Sequence, residues 1–200
     1  MKKLFLLSPA KVTGQRASLL LNPAAQFPLA RRFHHAGLPL ADVFAFASGL
    51  YFRGKITYAR RFAADDNDTV VRVITPSAGL LDPSTLVTPT ELLAFGAVDI
   101  HEDDPRYHEP LTRDAKKLLR HLEPDGRAVL LGSIATAKYR DVLLATFGDR
   151  LWFPADFVGR GDMSRGALLL RAAQAGTELP YQRVLGAITR GKRAPRVSGQ

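Results

Sequence analysis

Short apolar runs alternate along the chain with longer stretches in which apolar residues recur every three or four positions, the pattern of strands separated by helices. Lys3–Ser8, Asp42–Ala47, Thr69–Thr75, Arg127–Leu131 and Arg150–Phe153 are the short runs, and each predicts a β-strand that leads into a turn. Between them, Leu111, Ala115, Leu118, Leu119 and Leu122 fall on one helical face, with Lys116, Lys117 and Arg120 on the other. Glu123-Pro124-Asp125-Gly126 then stops that helix. Thr136–Phe147 and Ser164–Ala175 repeat the pattern, the second with Leu168, Leu169, Leu170 and Ala173 on its apolar side. Strand and helix in alternation predict an α/β fold: a single-domain, mostly parallel sheet flanked by helices on both faces. The domain is expected to occupy residues 1–182, with a basic C-terminal tail from 183 to 200.

In such a sheet, ligands bind beyond the carboxyl ends of the strands, so the loops that follow the strands are where chemistry belongs. These loops are rich in small and hydroxyl residues: Ser8-Pro9-Ala10-Lys11-Val12-Thr13-Gly14, Ser48-Gly49-Leu50-Tyr51, Pro76-Ser77-Ala78-Gly79-Leu80-Leu81-Asp82-Pro83, Gly132-Ser133, and Pro154 to Arg165. With Lys11, Arg160 and Arg165 among them, they read as a cleft for phosphate or sugar phosphate at helix N-termini.

Composition sharpens this. Of 200 residues, 46% are hydrophobic and 24% charged, which excludes a disordered or fibrous chain. The net charge is +9, so a polyanion is the first partner to consider. Arg183, Arg190, Lys192, Arg193 and Arg196, with no acid among them, concentrate much of that charge in the tail, which is either a solubilising terminus or a phosphate-contacting arm. The absence of cysteine removes disulfides and thiolate chemistry and points to a cytoplasmic protein. No apolar stretch reaches the ~20 residues a membrane span requires, so no membrane partner is expected.

Resemblance enters at the same loops. Leu6-Leu7-Ser8-Pro9-Ala10-Lys11, Ser48-Gly49-Leu50-Tyr51-Phe52-Arg53-Gly54 and Ser77-Ala78-Gly79-Leu80-Leu81-Asp82-Pro83, followed by Thr88-Pro89-Thr90, resemble in order the motifs of the YaaA peroxide-stress family and its related α/β domains. The chain departs from them at Val12 and lacks the tyrosine of the family's Pro-Tyr pair. The resemblance implies a compact α/β fold, a role in stress response and binding of double-stranded DNA in a basic cleft. A looser likeness, to uracil-DNA glycosylase-like domains, rests on Val129-Leu130-Leu131-Gly132-Ser133 and Leu151-Trp152-Phe153-Pro154, where Phe153 stands in place of the usual histidine. Likeness of fold carries little about function.

Residue by residue, Lys11 after the rigid Ser-Pro-Ala turn is either a phosphate ligand or nucleophile, or an ordinary surface lysine. Asp162 either orients a water or a sugar hydroxyl or caps the helix it opens. These two are the catalytic candidates. Ser8, Tyr51, Arg53, Ser77, Gly132, Ser133, Arg160, Gly161, Ser164 and Arg165 are the candidates for holding substrate or phosphate, with Tyr51 and Arg53 offering a surface on which a base can stack. Phe62 and Tyr58 read as core. His101-Glu102-Asp103-Asp104-Pro105-Arg106-Tyr107-His108-Glu109 contains enough ligands for a metal but matches no metal motif, and it reads as a solvated loop, as does Asp65-Asp66-Asn67-Asp68.

No Gly-x-Gly-x-x-Gly follows the first strand, and neither a P-loop nor Gly-x-Ser-x-Gly occurs, so no cofactor is expected. The functional expectation is a protein that binds nucleic acid, DNA before RNA, and processes a modified or damaged base. The alternative is a hydrolase or transferase acting on a nucleoside, nucleotide or sugar phosphate.

Overall fold

The computed structural model describes residues 1–64 and 66–191. A six-stranded sheet is built from β1 (Lys3–Leu7), β3 (Thr69–Ile74), β4 (Leu80–Leu81), β6 (Arg127–Leu131), β7 (Leu151–Pro154) and β8 (Tyr181–Arg183), in the order β4-β3-β1-β6-β7-β8. A separate antiparallel pair joins β2 (Leu38–Pro39) to β5 (Leu86–Val87). The helices are α1 (Gln15–Leu21), α2 (Pro28–Ala36), α3 (Leu40–Ser48), α4 (Leu50–Ala64), α5 (Pro89–Gly96), α6 (Pro105–His121), α7 (Ala137–Phe147) and α8 (Asp162–Ala175).

β1 is the central strand, parallel to β3 on one side and to β6 on the other. Leu4 to Leu7 are fully buried, as are Ala128 to Leu131 of β6. Helices cover both faces of these strands, which is why their sequences are uninterrupted apolar runs rather than alternating ones. β7 continues the parallel arrangement beside β6. β4 and β8 run antiparallel at the two edges. From β1 the chain crosses to β3, then returns past β1 to β6 and β7. The strand order therefore reverses between β1 and β6, and a crevice opens above their carboxyl ends. α4 packs against β1 and β3, while α6 packs against α7 and α7 against β7.

α8 packs on α4 at unusually short range. A β-carbon on Gly54 would lie 2.6 Å from the Gly166 carbonyl oxygen, and one on Gly166 would lie 2.8 Å from that of Leu50. Glycine at both positions lets the backbones touch, and this brings the start of α8 beside Tyr51 at the start of α4.

One predicted strand is a helix. Asp42–Ala47 lies within α3, where Leu40, Ala41, Val43 and Phe44 are buried. A short run apolar on both sides suits a buried strand and a buried helix equally well. Here Asp42 in the first turn and Gly49 at the C-cap, with φ +67°, settle the helix. The basic tail also begins inside the fold, since Arg183 ends β8 and Val184 is buried. Lys192, Arg193 and Arg196 lie outside the described residues, as does Asp65 of the acidic run. Among the described residues, no helix is long and apolar enough to cross a membrane.

Candidate active site

The crevice between β1 and β6 holds a cleft of about 700 Å³. That is within the ~300–1,000 Å³ range of small-molecule sites. Its floor is the loop from Ser8 to Thr13, and Ser133 and Pro76, which follow β6 and β3, flank it. α4 contributes Tyr51 and α8 contributes Asp162, while Thr136, Lys138 and Tyr139 come from the start of α7. Gly96 to Ile100, at the end of α5, close the remaining wall.

Lys11 and Asp162, the two catalytic candidates, thus share one cleft. Both are exposed, so a ligand would meet the ammonium and the carboxylate directly. Asp162 does not cap α8: Gly161 occupies the N-cap position with no side-chain bond, and Asp162 is the first helical residue. Its Oδ1 accepts a 3.3 Å hydrogen bond from Arg165. At α7, Thr136 occupies the N-cap with no side-chain bond to the helix, and Lys138 follows in the first turn. The uncapped N-terminus of α7 and two lysines therefore face the same space as the carboxylates of Asp99 and Asp162, so the cleft offers groups for an anion beside acceptors for hydroxyl groups.

The candidate residues divide by position. Ser8, Tyr51 and Ser133 line the cleft. Gly132 lies behind it, pressed against Ser8. Arg53 is exposed on α4, and Ser77 sits in the turn after β3; neither reaches the lining. Arg160 turns back onto its own loop, where Nε donates to the Asp156 carbonyl at 2.8 Å and a terminal nitrogen donates to Ser164 Oγ at 3.3 Å. Arg165 is buried beneath the site, donating to the Phe157 carbonyl at 3.2 Å and stacking over the Phe157 ring. Tyr51 is buried rather than an open stacking surface, with its ring against Phe157. Burial pushes its hydroxyl well above the usual tyrosine range, and the Arg165 guanidinium partly offsets this.

A residue that the sequence offers only as one more cation among the aromatics of α4 lies at the centre. Lys55 of α4 is 1% exposed, and its ammonium donates to the Ser8 carbonyl at 2.5 Å and to Ser8 Oγ at 2.9 Å. It sits 4.4 Å from the Tyr51 ring centre. Burial lowers its pKa to about 7; Asp162 opposes that shift and Arg165 adds to it. The spacing held the signal, because Tyr51, Lys55, Tyr58 and Phe62 lie on one helical stripe whose other members are core.

Away from the cleft, the His101–Glu109 segment divides. Asp104 caps α6 by accepting from the Arg106 amide at 2.9 Å, and residues from Pro105 onward are helical. Among the described residues, no group of three or more His, Asp or Glu side chains is arranged to hold a metal ion. No family model, curated protein or solved structure matches the chain.

Proposed function

We propose that the cleft binds a phosphorylated nucleoside or a sugar phosphate and that the protein acts on it as a hydrolase or transferase. The observation that carries this reading is the meeting of Lys11, Lys138 and Asp162 in one cleft at the point where the strand order reverses. Two lysines and the open N-terminus of α7 suit a phosphate. Ser133, Thr136 and Asp162 offer partners for sugar hydroxyls. A thermal-shift screen of nucleoside phosphates and sugar phosphates tests it: a ligand at ~100 times its dissociation constant stabilises the fold by ~2.7 kcal/mol. A flat response across both classes overturns the reading.

The net charge of +9 favours a second reading, in which the same cleft receives a nucleotide of DNA and the protein is a YaaA-like nucleic-acid-binding protein that processes a modified base. The motif resemblance in residues 5–90 supports it. Filter binding to duplex and single-stranded DNA across a salt series separates the two, since contacts to backbone phosphates make affinity fall steeply with salt.

A further inference from the structure

Lys55 is an expensive residue to bury. Its ammonium donates to Ser8 rather than to a carboxylate, and an amine removed from water disfavours its own charge, a shift that the Asp162 carboxylate only partly opposes. A methionine or leucine would fill the same volume without that cost. What the amine does is visible in its contacts, two of which are to one residue, Ser8. Lys55 is not part of the cleft wall; it touches the cleft through Ser8, which is.

Ser8 is held for a purpose. Its hydroxyl has the Lys55 amine on one side and the Tyr139 hydroxyl as a hydrogen-bond neighbour on the other. Tyr139 is fixed in turn by the Ser133 amide, which donates to its hydroxyl at 3.2 Å. Gly132 leaves the space that the Ser8 side chain occupies.

We propose that Ser8 is the nucleophile of this cleft and that Lys55 is the base that takes its proton. The proposal rests on the phosphate-ester reading above and names its reacting groups. Neutral Lys55 accepts the Ser8 hydroxyl proton as Oγ attacks phosphorus. The Oγ–P bond forms, the P–O bond to the sugar or nucleoside breaks, and the leaving oxygen takes the proton back from the Lys55 ammonium. The products of this half-reaction are an alcohol and a phosphoserine. Water then releases phosphate, or an acceptor hydroxyl takes the phosphoryl group. Lysine is a competent base near neutrality only when desolvated, and complete burial supplies that condition. The charged and titratable groups around it are Tyr51 on α4, Asp162 and Arg165 on α8, and, across Ser8, Tyr139 on α7.

An alkyl fluorophosphonate provides a probe that needs no knowledge of the substrate. Attack by Ser8 forms the Oγ–P bond and expels fluoride, and the adduct is read by intact-mass and peptide mass spectrometry on the full chain. The expected result is a single adduct on Ser8, with a labelling rate that rises through about pH 7 as Lys55 loses its proton. Ser8→Ala should abolish the adduct. Lys55→Met should slow labelling at least ~100-fold, the scale of a lost general base, while Lys55→Arg, which preserves charge but cannot act as a base, should be equally slow. The wild-type pH profile keeps the test decisive should Lys55→Met fail to fold. No labelling of Ser8 at any pH, or labelling of Ser8 that is independent of pH between 6 and 8, overturns the proposal. Nucleotide binding without labelling would remove the Ser8–Lys55 pair and leave the cleft reading standing; labelling with no phosphate ligand would retain the pair and remove the substrate class.

Discussion

Gly132 stands so close to Ser8 that a β-carbon at position 132 would lie 2.8 Å from Ser8 Cβ and 3.0 Å from its Oγ. The residue that follows β6 has no side chain, and Ser8 and Tyr139 occupy the space that one would fill. A feature legible in the sequence only as a small residue after a strand is therefore a packing requirement of the cleft floor.

Gly132→Ala is expected to displace the Ser8 side chain and to destabilise the fold by ~1–3 kcal/mol, the usual cost of overpacking. Ligand-induced thermal shifts should fall with it. Gly161→Ala is the matched control, since a β-carbon there meets nothing within 4 Å and its φ of −83° is ordinary. Its loss, read by urea unfolding, should stay below ~1 kcal/mol. Equal losses at the two positions would mean that the Gly132–Ser8 contact relaxes freely.

Gly54→Ala and Gly166→Ala act on the contact between α4 and α8, where each added methyl meets backbone rather than a movable side chain. Each should destabilise by ~2 kcal/mol or more. Because this contact sets Asp162 beside Tyr51, both variants should also weaken binding in the thermal-shift screen. Stability loss with unchanged ligand affinity would show that the two helices position the cleft independently.

Much of the fold is legible in the sequence, and the exceptions have physical causes. β1, β6 and β7 are strands buried within a covered sheet, so their apolar runs between turns identify them, while β3 is marked by its β-branched residues despite Arg72 in its middle. The same kind of run misleads at Asp42–Ala47, because α3 is buried among its neighbours and lacks a polar face to reveal its period. The cleft was legible in outline, since strand-end loops define it wherever the sheet is parallel: Ser8, Lys11, Tyr51, Ser133 and Asp162 all line it. Arg160 and Arg165 were not separable by sequence from phosphate ligands, for an arginine that ties down loop carbonyls has the same neighbours in the chain as one that meets a ligand. Lys55 reads as one more cation of a base-stacking surface with Tyr51 and Arg53 until its register with Tyr51 and Tyr58 is counted.

Lys11→Ala removes an exposed side chain, and the fold should keep its stability within about ±0.5 kcal/mol. Phosphate-bearing ligands should bind more weakly, while unphosphorylated nucleosides should be indifferent to the change. An equal loss for both would place Lys11 on the sugar or base rather than the phosphate.

The burial of Lys55 predicts a pH dependence of stability with a definite sign. Its pKa is lowered from 10.5 to about 7 on folding, so between these values the unfolded chain binds the proton more strongly than the native one. Stability should therefore rise with pH across that window and be insensitive to this group below it. The buried tyrosines act in the opposite sense: Tyr51, Tyr58, Tyr107 and Tyr181 are all raised on folding, so their contribution is lost only above about pH 10. The clean interval is pH 7.5 to about 9.5, where wild-type stability in urea should climb and that of Lys55→Met should climb less. Parallel curves would mean that Lys55 keeps its proton in the native state across this interval, as a freely hydrated lysine does.

Asp162→Asn separates the two functional readings by direction. Gly161 caps α8, so the substitution leaves the cap alone and removes only a first-turn charge and its bond to Arg165, at a cost of ~0.3–1 kcal/mol. If the carboxylate orients a water or a sugar hydroxyl, turnover of a phosphorylated ligand should fall by orders of magnitude while binding is retained. If the cleft instead takes a nucleotide of DNA, the loss of one negative charge among Lys11 and Lys138 should tighten binding to duplex or single strand, most clearly at low salt. Turnover assays and filter binding on the same preparation read both effects. A large drop in melting temperature with neither change would assign Asp162 to holding Arg165 beneath the site.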